Sequence, residues 1–369
     1  MSISELSSED ALRLNVLLAN NPLAIRIHES SMTLYGLLED GESSISLNPN
    51  RTDEKYLKLI RSVLSERALG NPQGYPLYLQ RWTRMGRMRD ESLNALLKLG
   101  DPDAVFAVVC AEGLTDELAG RAWWASTEPE NARRMLQTDS VARGETGRAL
   151  ARFLVEYLPF ETETETMIES VRMAMRPGVL PEEERRRLWQ RSSRKLPYLV
   201  GFIAAAADDL PDGMPARSDY QKHCERLLQL DGPMAGLLRK SLSSEGQLFL
   251  TTCQRILVKP PTQDVLTTTF DVIREYFSGL RPVGDPDSTI DELLATAEAS
   301  QDAANFGALE AEARAILVLS GLGYGVLRPQ LKGSTASGGL MRRKLSHVLQ
   351  IIGQQLERLL HPPVDSHRD

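Results

Sequence analysis

The sequence predicts a mainly α fold that opens with a small N-terminal antiparallel β-meander and continues as an irregular stack of helical hairpins. Three observations carry this. Apolar residues alternate with period two across residues 23–47, the alternation gives way to helical spacing from about Pro76, and helix-start residues recur through the rest of the chain. At roughly 150 residues per domain, 369 residues correspond to about two or three structural units. We place them at residues 1–75, 76–210 and 211–369, with the polar Pro- and Gly-bearing stretch Asp208–Pro215 as the main boundary.

The opening helix runs from Ser8, with Leu12, Leu14, Val16, Leu17 and Leu18 among its apolar positions, and Asn20-Asn21-Pro22 stops it. Leu23, Ile25 and Ile27 then alternate with Ala24, Arg26 and His28, a half-buried strand. Met32–Leu38 and Ser43–Leu47 read as two further strands, joined by a tight hairpin at Asp40-Gly41. Such a sheet needs a helix over one face, and the flanking segments Ser8–Asn20 and Asp53–Leu64 supply it.

Downstream, Asp101-Pro102 opens a helix, because Asp accepts from free amides and Pro occupies a position whose N–H would be unpaired. Thr127 with Glu130, Ser218 with Gln221 and Thr289 with Glu292 match the reciprocal capping pattern. Residues 91–158 read as short helices joined by brief turns, and Leu96–Val105 looks like the junction of a HEAT-like repeat. No second copy aligns with it, so the irregular stack is preferred to a regular solenoid. Ala315–Leu327 reads as a buried helix entering a glycine turn, being shorter than the ~18 residues a membrane span needs. Gly333–Gly339 reads as a flexible loop before the last helix.

Composition restricts function. Forty-three Lys and Arg against 50 Asp and Glu give a net charge of −7, which argues against coating nucleic acid by charge alone. Residues 1–10 carry three acids and no base, unlike a secretory leader, and three cysteines without a CxxC pair do not form a disulfide framework. A cytoplasmic protein is expected. The five histidines show no ligand spacing and the glycine loops lack nucleotide-binding patterns, so neither a metal nor a cofactor is expected, nor a catalytic set.

Two features rise above this background. Arg81, Trp82, Arg84 and Arg87 lie in a run with four arginines in nine residues, offering planar donors for phosphate and a ring for stacking. Cys253, in a partly polar stretch beside Arg255, is the candidate reactive thiol. Cys110 sits in the apolar segment Ala104–Ala111, where burial would leave it inert, and Cys224 and His223 point apart on one helix. Of Trp123 and Trp124, one is expected to fill the core and the other a helix–helix interface.

Several blocks together carry a resemblance: Leu14–Ala19 with Asn21–Ile27, Gly74–Leu79 running into Arg81–Gly86, Leu114–Trp124, Glu130–Leu136 and Phe153–Phe160. They resemble the DsrS family, the so-called sulfur reduction proteins encoded with the reverse dissimilatory sulfite reductase machinery of sulfur-oxidising bacteria. The resemblance extends over roughly residues 10–210 and implies a cytoplasmic accessory or regulatory protein whose partners are proteins of the sulfur-oxidation system. It supplies no catalytic residue. A thiol-dependent sulfur carrier or transferase using Cys253 is the alternative reading, and an RNA-binding regulator using Arg81–Arg89 a further one.

Overall fold

The computed structural model describes residues 6–70, 90–280 and 287–362. The chain divides into two compact units, Met1–Tyr157 and Leu158–Asp369, each with its own core. The loop around residues 208–215 lies within the second unit, and the first unit joins the meander to the helices that follow it.

The first unit begins with α1 (Ser8–Ala19), capped by Ser7, whose hydroxyl accepts from the Asp10 amide. Strands β1 (Ala24–His28), β2 (Thr33–Leu38) and β3 (Gly41–Ser46) form one antiparallel sheet in the order β1-β2-β3, and α2 (Asp53–Leu69) follows. Cross-strand partners share a face, so Ile27, Leu34 and Ile45 lie together, as do Ile25 and Gly36. Their side packs with Leu14 and Leu17 of α1 and with Tyr56, Ile60 and Val63 of α2, as the flanking helices were expected to do.

The opposite face is covered at β1, while Glu42, Ser44 and Ser46 of β3 are exposed. There α5 (Asp116–Ala125) crosses β1, and Arg26 lies between the rings of Tyr35 and Trp124, 5.0 and 4.7 Å from their centroids. Glu42 accepts from Trp124 Nε1 at 2.9 Å and stands 3.5 Å from Arg26. Long amphipathic side chains thus cover part of a face that the period-two pattern marks as polar. The outer edge of β1 is partly paired as well, since the Ile25 amide donates to the Leu97 carbonyl at 2.8 Å. The hairpin also differs by one position. Glu39-Asp40 forms the turn and Gly41 starts β3 at φ +147°, a backbone value that favours glycine.

The remaining helices of this unit are α3 (Asp90–Leu96), α4 (Pro102–Val109), α5, α6 (Pro129–Met135), α7 (Asp139–Ala142) and α8 (Glu145–Tyr157). Consecutive helices contact one another and their next neighbours, which is the stack of short hairpins that the punctuation predicts. Asp101 caps α4 as expected, accepting from the amides of Asp103 and Ala104 with Pro102 in the first turn. Thr127 does not cap α6: its hydroxyl donates back to the Trp123 carbonyl, and the helix opens at Pro129. Trp123 and Trp124 do face different ways, but both are half-buried. Trp123 meets Phe153 edge-on at 4.8 Å, while Trp124 covers Arg26.

The second unit is helical throughout its described residues. Its elements are α9 (Thr164–Ala174), α10 (Glu182–Ser192), α11 (Leu196–Ala205), α12 (Tyr220–Gln229), α13 (Pro233–Leu242), α14 (Ser244–Val258) and α15 (Gln263–Tyr276). They continue with α16 (Ile290–Glu298), α17 (Gln301–Ala304), α18 (Glu310–Ser320), α19 (Tyr324–Leu331), α20 (Gly338–Lys344) and α21 (Ser346–Leu360). Helices α9 and α11 cross closely at Gly201, where an added Cβ would sit 2.5 Å from Val171 Cβ and 2.8 Å from the Ile168 carbonyl oxygen. The final helix α21 packs on α14 and α18, its Val348, Ile352 and Leu356 lying in the core.

Thr289 and Glu292 form the reciprocal capping box at α16, and the pairs Glu182–Arg186 and Glu183–Arg187 are present on α10. Ser218 caps nothing; Asp219 stands at that position, and its carboxylate is taken by Arg217. The Gly333–Gly339 loop, expected to be flexible, is tied down. Gln263 Nε2 donates to the carbonyls of Ser334 and Ala336, and the Gly338 amide to that of Pro261. Among the described residues, no helix is long and apolar enough to cross a membrane.

Candidate functional site

The first unit contains a cleft of about 640 Å³ between α1, α2 and α3. Leu18, Pro22, Leu64, Ala68 and Ala95 form its apolar walls, and its polar lining is Asn15, Asn21, Arg67, Asn94 and Lys98. The local sequence explains the opening. Asn20-Asn21-Pro22 ends α1 abruptly, and Asn21 adopts φ +46°, a left-handed backbone that Asn tolerates better than most residues. The α2 and α3 helices leave the remaining sides.

Each polar side chain is oriented by a partner. Arg67 Nη2 donates to Asn15 Oδ1 at 3.1 Å, Lys98 Nζ to Asn21 Oδ1 at 2.8 Å, and Arg121 Nη1 to Asn94 Oδ1 at 2.6 Å. Three amide oxygens are therefore each engaged by a cation, which fixes Asn15 and Asn21 with their amide N–H₂ groups available as donors. Burial, and then the neighbouring Arg121 charge, push the Lys98 ammonium below the usual lysine range. Among the described residues, no carboxylate, cysteine or histidine lines the cleft. Such a lining holds a group by donation, and the one side chain in it of a nucleophilic or basic type is the Lys98 amine, which is engaged as a donor to Asn21.

Of the sequence-derived sites, Arg81, Trp82, Arg84 and Arg87 lie outside the described residues. Cys253 lies on α14 at 0% exposure, and burial drives its thiol far above the ordinary range, so neither accessibility nor thiolate character marks it as reactive. Cys110, expected to be buried, is instead exposed at the C-cap of α4, because the helix ends one residue before it. Its pKa is nonetheless raised by local burial. His223 and Cys224 point apart as expected, His223 toward Asp219 and Cys224 toward Tyr220.

The second unit has its own polar cluster, but a closed one. Arg217, 4% exposed, chelates both Asp219 oxygens at 2.7 and 2.8 Å, lies 2.9 Å from Glu312, and donates to the Arg358 carbonyl at 3.0 Å. Gln247 Nε2 donates to the Leu359 carbonyl at 3.0 Å. Together they close the C-terminal turn of α21, a structural duty that leaves Arg217 no room for a ligand. Among the described residues, no group of three or more His, Cys, Asp or Glu side chains is placed to hold a metal ion.

No protein-family model matches this chain, and neither a search of curated proteins nor one of solved structures returns a match.

Proposed function

We propose that this chain is a non-enzymatic cytoplasmic accessory or regulatory protein of bacterial sulfur oxidation, acting by binding through its helical surfaces. Its partners are proteins of that system. The link to sulfur oxidation rests on the sequence blocks that resemble the DsrS family, among them Leu114–Trp124 and Phe153–Phe160. The binding mode rests on one observation above the others: the cleft between α1, α2 and α3 is lined by donors and apolar walls.

Disrupting the gene in a sulfur-oxidising host tests this directly. The expected result is a lower abundance or impaired assembly of sulfur-oxidation proteins, with no single chemical step removed. Purified protein that turns over persulfide or sulfite at ~1–1000 per second, the ordinary range for enzymes, overturns the reading. Co-purification from native cells followed by mass spectrometry identifies the partner.

A further inference from the structure

We propose that the cleft between α1, α2 and α3 binds a small organic anion, with its carboxylate or phosphate held by Arg67 and Lys98 and its carbon body on the apolar walls. The donor inventory comes first. Lys98 uses one of its three N–H donors on Asn21, and the Arg67 guanidinium likewise donates to Asn15. The two charged side chains of the lining keep further N–H donors and carry full positive charge, so the cleft is complementary to acceptor oxygens and not to a cation.

The charge balance agrees. The C-terminal ends of α1, α2 and the short α3 border the cleft, each contributing at most roughly −0.5 of an elementary charge from its carbonyls. The two full positive charges of Arg67 and Lys98 still outweigh them, and among the described residues no lining carboxylate offsets the remainder. Lys98 is moreover crowded by Arg121, whose own ion pair is with Glu117 outside the lining. An anion seated beside Lys98 would relieve that like-charge crowding.

Size and shape select the class. A cleft of about 640 Å³ falls within the ~300–1,000 Å³ typical of small-molecule sites, far more than a bare oxyanion fills. Leu18, Leu64 and Ala95 give a carbon chain or ring a wall to lie on. Asn21, held at φ +46° on the rim, is a backbone conformation of the kind that accumulates at ligand sites.

Isothermal titration calorimetry of the full chain tests the proposal with two probe series: acetate to hexanoate, and inorganic phosphate to phenyl phosphate. Saturable binding of one series, tighter for its larger member, is expected and identifies the head group. Lys98→Gln and Arg67→Gln should each weaken it by about tenfold or more. Asn15→Asp keeps a partner for Arg67 while placing a negative charge in the cleft, and should abolish binding without loss of the circular-dichroism melting transition. Absence of saturable binding in both series, or binding that survives Asn15→Asp, overturns the proposal. The accessory role is tested separately by gene disruption, so either idea can fail without the other.

Discussion

Among the described residues each unit buries one carboxylate, and the two are stabilised by different means. In the first unit Asp10, fully buried, takes two neutral donors on Oδ2: the Tyr56 hydroxyl and the Asn48 amide at 2.8 Å. In the second unit Glu312, 2% exposed, faces the Arg217 guanidinium at 2.9 Å, and neither of its oxygens has a well-directed hydrogen bond. Asp10 thus ties α1 to α2 and to the segment after β3 through directed bonds. Glu312 instead depends on a counter-charge that also holds Asp219 and the end of α21. Removing one neutral donor leaves Asp10 with another, whereas removing the guanidinium strands a charge in the core of the second unit.

The largest effect should therefore follow Arg217→Met, which leaves Glu312 uncompensated and unties the last turn of α21. A loss of about 3–5 kcal/mol is expected in chemical denaturation, and Glu312→Leu in the same chain should recover part of it. A loss below about 1 kcal/mol would erase the distinction between the two units.

Tyr56→Phe should cost less, about 1–3 kcal/mol, because Asp10 keeps the Asn48 amide. The pH dependence sharpens the comparison. Burial first, and then Asp10, raise the Tyr56 pKa above its ordinary 10.0. The neutral phenol is thereby favoured in the folded state, so its contribution is complete below pH 10 and fades as pH rises through the folded value. Tyr56→Phe should remove that alkaline decline, as seen in melting temperatures measured from pH 8 to the alkaline limit.

Helix caps provide a matched pair, one in each unit. Thr115→Ala removes a side chain that accepts from the Leu118 amide, and Thr289→Ala removes half of a reciprocal box. Each should cost about 1 kcal/mol in urea denaturation. The smallest effect touches reactivity and not stability. Cys110 should alkylate in the native protein with a rate that still climbs above pH 9.0, since its pKa is raised, while Cys253 should label only on unfolding. Native labelling of Cys253 would break the description of the second unit's core as closed.

Much of the architecture is legible because it is local. The period-two run around Ile25 and Ile27, the Asp101-Pro102 start and the Thr289–Glu292 box each depend on residues a few positions apart. The errors come where a distant or competing partner intervenes. Thr127 prefers the Trp123 carbonyl to a capping role, and the Asp219 carboxylate belongs to Arg217. The polar face of the meander is covered at β1 by α5, whose Trp124 no strand pattern announces. The cleft escapes the sequence for the same reason, since Asn15 and Arg67 come from two helices and Lys98 from the turn after a third, and they share no spacing. Asn20-Asn21-Pro22 was its one local sign, read as a helix stop when it also shapes a rim.

The pairing of Ile25 with Leu97 has a further consequence, for solubility under stress. A sheet grows by recruiting strands at its borders, and an unguarded border is where chains of many proteins begin to associate. Here the β1 border is engaged at Ile25, and the other border is β3. That strand reads Gly-Glu-Ser-Ser-Ile-Ser: short, mostly exposed, and poor in the branched and aromatic residues that hold a newcomer. The meander is thus partly guarded on the β1 side, and on the β3 side its sequence offers an incoming strand little to adhere to.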